Sequence, residues 1–95
     1  MNHLAYNLEN QGKVEEAEAL QRRSLEGNER ALGADHPDTL ITVGNLALNL
    51  ENQGKVEEAE VLHRRTLEGI ERALGADHPD TLTAVGHLAF NLYQQ

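Results

Sequence analysis

Five histidines and sixteen carboxylates, in a chain of 95 residues without cysteine, are the side chains that could do chemistry. Imidazole and carboxylate together can hold zinc or move protons, provided their spacing brings several of them to one point. That spacing is missing. His36 and His78 stand in separate linkers, and neither belongs to a His-x-x-x-His or Cys-x-x-Cys pattern. His63, beside Arg64 and Arg65, reads as a helix-surface or partly buried residue. Glu15-Glu16 and Glu57-Glu58 fit helix starts, where negative charge complements the helix dipole. No serine or threonine has a histidine and an acid in a catalytic arrangement, and no glycine-rich phosphate loop occurs. The expectation is no enzyme: no catalytic residue, no metal and no cofactor.

The elements that carry these residues repeat. Residues 3–44 and 45–86 align without a gap at an offset of 42, with 34 of the 42 positions identical, and a partial third copy occupies 87–95. A fixed period of this length is the mark of a solenoid, in which each unit buries its apolar face against its neighbours.

Within one unit, Ala34-Asp35-His36-Pro37-Asp38-Thr39 opens a helix. Proline disfavours helical geometry in the residue before it, so His36 becomes the N-cap, Pro37 the first helical residue and Asp38 a first-turn acid. Leu40, Val43, Leu46, Ala47 and Leu50 then recur at three- and four-residue intervals, and Gly54 closes the helix. A second helix carries Val56, Ala59, Leu62, Leu67, Ile70 and Leu74 and is closed by Gly75. Glu18–Arg22, Glu26–Arg30, Glu60–Arg64 and Glu68–Arg72 are i,i+4 pairs in the favourable order. The pattern predicts an all-α chain of five helices over 2–10, 14–32, 38–53, 56–74 and 80–93, with Gly12 a helix end like Gly54. The first segment lacks the His-Pro-Asp start, so the chain reads as a single domain over 1–95 whose first partial repeat, 1–12, opens inside a helix, a piece of a longer array.

Composition narrows the function classes. Net charge is −8, and each full repeat carries eight acids and four bases, interspersed as on solvated helix faces. An acidic chain without a basic patch is a poor binder of nucleic acid or anionic membrane. No apolar run is long enough for a signal peptide or a membrane span. Absence of cysteine suits a cytoplasmic protein. Aromatic residues are 3% of the chain, so leucine, alanine and valine must build the core.

Asn45-Leu46-Ala47, Gln53-Gly54-Lys55-Val56-Glu57-Glu58-Ala59-Glu60, Arg65-Thr66-Leu67-Glu68 and Leu74-Gly75-Ala76-Asp77-His78-Pro79-Asp80-Thr81 together form a string that resembles the 42-residue class of tetratricopeptide repeat, similar to the repeats of kinesin light chains. The resemblance covers essentially the whole chain. It implies a right-handed α-solenoid of antiparallel helical hairpins, with the first helix of each pair lining a concave groove where peptides bind, and hence a protein-interaction scaffold. Where the family has large aromatics, this chain has Leu50, Val56 and Gln21 or His63; Gly27 and Gly69 fall inside the second helix.

By the same resemblance the groove-facing positions are Asn2, His3, Tyr6 and Glu9 in the first copy, Asn45, Leu48, Glu51 and Asn52 in the second, and His87, Phe90 and Tyr93 in the third. All three aromatic residues of the chain fall in this set. Amides can pair with an extended backbone while rings hold side chains; the plainer reading is that Tyr6, Leu48 and Phe90 pack on the adjacent hairpin. The first helices contain no lysine or arginine, so the expected partner is a basic or neutral peptide. A competing expectation is self-association. Leu82, Val85, Leu88, Ala89 and Leu92 have no following helix to cover them, which predicts a homo-oligomer by head-to-tail stacking or exchange of a terminal helix.

Overall fold

Proline at the first helical position and glycine just past the last one set the element boundaries. The computed structural model describes residues 3–95, and side chains from Gly12 onward. Four helices follow one another: α1 His3–Leu32, α2 Pro37–Asn52, α3 Val56–Leu74 and α4 Pro79–Gln94. No strand occurs among the described residues. His36 and His78 are the N-caps of α2 and α4, each accepting a hydrogen bond at Nδ1 from the backbone N–H of Asp38 (3.1 Å) or Asp80 (3.0 Å). Imidazole here does the work usual for a serine or aspartate cap.

At the far end of α2, Lys55 N–H donates to Leu50 O (2.8 Å) and Gly54 N–H to Glu51 O (2.9 Å). These two bonds form a Schellman closure, and Gly54 supplies the left-handed residue it needs, at φ 85°. Gly33 and Gly75 close α1 and α3 at φ 97° and 94°.

The expected first two helices are one. α1 runs unbroken through Gly12, so the chain has four helices rather than five, and Gly12 is not a helix end. The same Gln-Gly-Lys triplet turns at 53–55 because Leu46, Ala47 and Leu50 of α2 form a buried cluster with Ala59 of α3, and that burial offsets the cost of a turn. A nine-residue helix is marginal alone, and continuing the ladder satisfies its peptide groups locally.

Each helix packs on the next in sequence: α1 on α2, α2 on α3, α3 on α4. Flanked on both sides, α2 supplies most of the core, with Leu40, Val43, Leu46, Ala47 and Leu50 essentially inaccessible to solvent. Burial of each leucine stabilises by roughly 1.5–3 kcal/mol. Leu25 of α1 and Leu62 of α3 close over this cluster from either side.

The stacking contact itself repeats at the period of the sequence. Asn49 Nδ2 donates to Val14 O (3.0 Å) and Asn91 Nδ2 to Val56 O (3.0 Å); Gln53 Nε2 donates to Glu18 (2.8 Å) and Gln95 Nε2 to Glu60 (2.8 Å). The α1·α2 and α3·α4 joints are thus two copies of one interface. Sequence periodicity places these asparagines on the helices without revealing that they clamp a backbone carbonyl of a neighbour.

Of the expected i,i+4 pairs, Glu18–Arg22 (2.8 Å), Glu60–Arg64 (2.8 Å) and Glu26–Arg30 (3.9 Å) form. Arg72 turns instead to Asp35 (4.0 Å). Gly69, costly inside a helix, is explained by Leu40: a Cβ built there would come under 3 Å from both methyls of that leucine.

Candidate functional site

α2 and α4 lie against different faces of α3, and the gap between them is a cleft of about 220 Å³. Ile41, Gly44, Asn45 and Leu48 of α2 form one wall; Asp80, Thr83, Ala84 and His87 of α4 form the other; Thr66 and Ile70 of α3 make the floor. The surface is mostly apolar, with an amide, two threonine hydroxyls, an imidazole and the Asp80 carboxylate as its polar groups. No lysine or arginine lines it.

Behind the α4 wall lies a polar group that the sequence does not announce. His63 is 2% exposed, not a surface residue, and its Nε2 meets Glu51 Oε1. The His87 ring tilts against it with centroids 5.9 Å apart. α3 carries His63 into the space between α2 and α4, so Glu51 of one repeat and His87 of the next converge on it. A buried imidazole with a carboxylate partner is a satisfied structural pair.

Two carboxylates with lowered pKa values, Glu18 and Glu60, sit at the joints between repeats. Gln53 and then Arg22 donate to Glu18 and hold its carboxyl below the usual range, while Glu18 in turn raises Arg22. Gln95 and then Arg64 do the same for Glu60. These are stacking contacts remote from the cleft.

Of the expected groove residues, Asn45, Leu48 and His87 line the cleft. Glu51 belongs with His63 instead, its side chain 6% exposed. Asn52 is exposed at the end of α2 and outside the lining. Phe90 and Tyr93 are exposed on α4, again outside this cleft. Asn2, His3, Tyr6 and Glu9 lie outside the residues whose side chains are described. Sequence reasoning missed Ile41, Thr66, Ile70, Asp80, Thr83 and Ala84 as lining residues.

A signal for them was present. The two full copies differ at eight positions, and residues from six of those positions line this cleft: Asn45, Leu48, Thr66, Ile70, Ile41 with Thr83, and Ala84. A seventh is His63, whose ring centroid is 5.9 Å from that of His87. Differences scattered evenly over the repeat would place about one or two there. The α2 stripe from Leu40 to Leu50, the caps and the turns are copied unchanged, and the variation gathers on the cleft walls and on its buried floor.

The sequence model of the tetratricopeptide repeat matches residues 1–38 and 39–80. The chain belongs to the tetratricopeptide repeat family. Its second matched repeat contains the α2–α3 hairpin apart from the first two residues of α2, and the first contains the fused α1. Tetratricopeptide repeats are protein-interaction modules that bind proteins or peptides. No match was found among the curated proteins. No helix among the described residues is long and apolar enough to cross a membrane.

Proposed function

We propose that this chain is a non-enzymatic scaffold of a right-handed superhelical array, and that it holds an extended peptide in the cleft between α2 and α4. The observation that carries this is the coincidence of repeat-to-repeat differences with the cleft lining, in a chain that otherwise copies itself.

The lining suggests the ligand. Leu48, Ile41 and Ile70 offer an apolar bed for one or two side chains, and Asn45 can donate to and accept from a peptide backbone. Asp80 at the mouth and the net charge of −8 favour a neutral or basic partner over an acidic one.

Selection from a displayed peptide library tests the proposal. Enriched sequences should combine an apolar anchor with neutral or basic flanks. Thr83→Arg, at an exposed position on the α4 wall, should weaken the selected peptides at least tenfold, about 1.4 kcal/mol, without lowering the unfolding midpoint. Enrichment of acidic peptides, or indifference to Thr83→Arg, would remove the reading.

A further inference from the structure

The repeat supplies its own test of what is left uncovered. Leu40, Val43 and Leu50 of α2 are buried, and their copies on α4, Leu82, Val85 and Leu92, are 56%, 46% and 44% exposed. The difference is one helix: α3 lies over the α2 stripe, and no described residue lies over the α4 stripe. α3 meets α2 with Ala59, His63, Thr66, Gly69 and Ile70, all buried. The copies of these residues on α1 are Ala17, Gln21, Ser24, Gly27 and Asn28, of which none is fully buried. Because α1 continues straight through Gly12, no part of the described chain folds back over that face.

We infer that α4 of one molecule docks against the Val14–Leu32 part of α1 of a second copy, reproducing between chains the α2·α3 interface that exists within one. Three correspondences support the match. Gly69 leaves room for Leu40, and Gly27, with nothing within 4 Å of a Cβ built on it, leaves the same room for Leu82. Glu51 meets His63 within the chain; at the equivalent positions stand Tyr93, 87% exposed, and Gln21, half-buried, a hydroxyl and an amide able to pair. Finally, α4 has the full sixteen-residue length of α2, so it spans the same stretch of helix. The contact is heterologous, α4 to α1, so it continues from copy to copy instead of closing a pair. It also brings Phe90, the copy of Leu48, to the wall of a second cleft formed between α4 and the α2 of the next molecule.

Sedimentation of the 95-residue chain tests this together with two variants. Gly27→Gln fills the receiving notch on α1, and Val85→Gln spoils the stripe on α4. Neither position is buried in the single chain, so both variants should keep wild-type helix content and cooperative unfolding. Wild type should gain mass continuously over roughly 10 µM to 1 mM, the range of moderate affinities. Each variant alone should remain a monomer over that range. An equimolar mixture of the two should form a dimer and stop there, because one partner keeps α4 and the other keeps α1. Wild type that stays monomeric, variants that associate as wild type does, or a mixture that stays monomeric would each overturn the inference.

Discussion

Two glycines at the same position of successive repeats respond in opposite ways to one methyl group. Gly27 and Gly69 both lie inside helices, where replacement by alanine gains about 0.8–1 kcal/mol from reduced chain entropy alone. At Gly27 nothing lies within 4 Å of the added Cβ, so the gain should appear in full. At Gly69 the Cβ would come under 3 Å from both methyls of Leu40 and 3.2 Å from its Cγ. Rotating the leucine does not clear its branch point, and Leu40 is fully buried, so the surroundings must move at a cost of roughly 1–3 kcal/mol. Helix propensity cancels between the two variants, leaving Gly69→Ala less stable than Gly27→Ala by that overpacking cost. Urea unfolding at low micromolar protein, where copies do not associate, measures the difference. Leu40→Ala should cost less beside Ala at 69 than beside Gly. Equal midpoints for the two alanine variants, or additive effects of Leu40→Ala and Gly69→Ala, would refute the packing described for α2 on α3.

Two further outcomes follow from the joints between repeats. Asn91 is fully buried and clamps Val56 O, so Asn91→Ala should lower stability by about 1–3 kcal/mol in urea unfolding; a change under a few tenths would mean that the clamp does not hold α4 in place. Glu18 and Glu60 have folded pKa values below the ordinary carboxylate value of ~4.3, so their stabilisation is complete above that value and is lost as pH falls through the lowered folded pKa. Gln53→Met removes the largest cause at Glu18 and should flatten the acid side of the stability–pH curve; an unchanged slope below about pH 4.3 would contradict the assigned cause.

The elements most legible in the sequence are those whose signals are local. His36-Pro37-Asp38 marks its own helix start, and the α3 boundaries, Val56 and Leu74, fall where glycine and the apolar stripe put them. Gly12 misleads because the same triplet turns or continues according to what packs beside it, and Gly54 has Leu50 and Ala59 to hold its turn. His63 misleads for a related reason: neighbours in sequence are arginines, while neighbours in space are Glu51 and His87, twelve and twenty-four residues away. The cleft was half legible. Family resemblance points to α2 and α4, and so to Asn45, Leu48 and His87, whereas the floor comes from α3 and shows itself only where Thr66 and Ile70 replace Ser24 and Asn28. Phe90 and Tyr93 carry aromatic character that suggests the groove, yet they stand one position further along the stack.

Most direct is a titration of the ¹⁵N-labelled protein with a selected peptide, followed by amide shifts. The groove account predicts that Asn45, Leu48, Thr66, Thr83 and His87 shift together and saturate with one affinity. Shifts confined to Glu58, Arg64 and Glu71, on exposed parts of α3 away from the cleft, would contradict it.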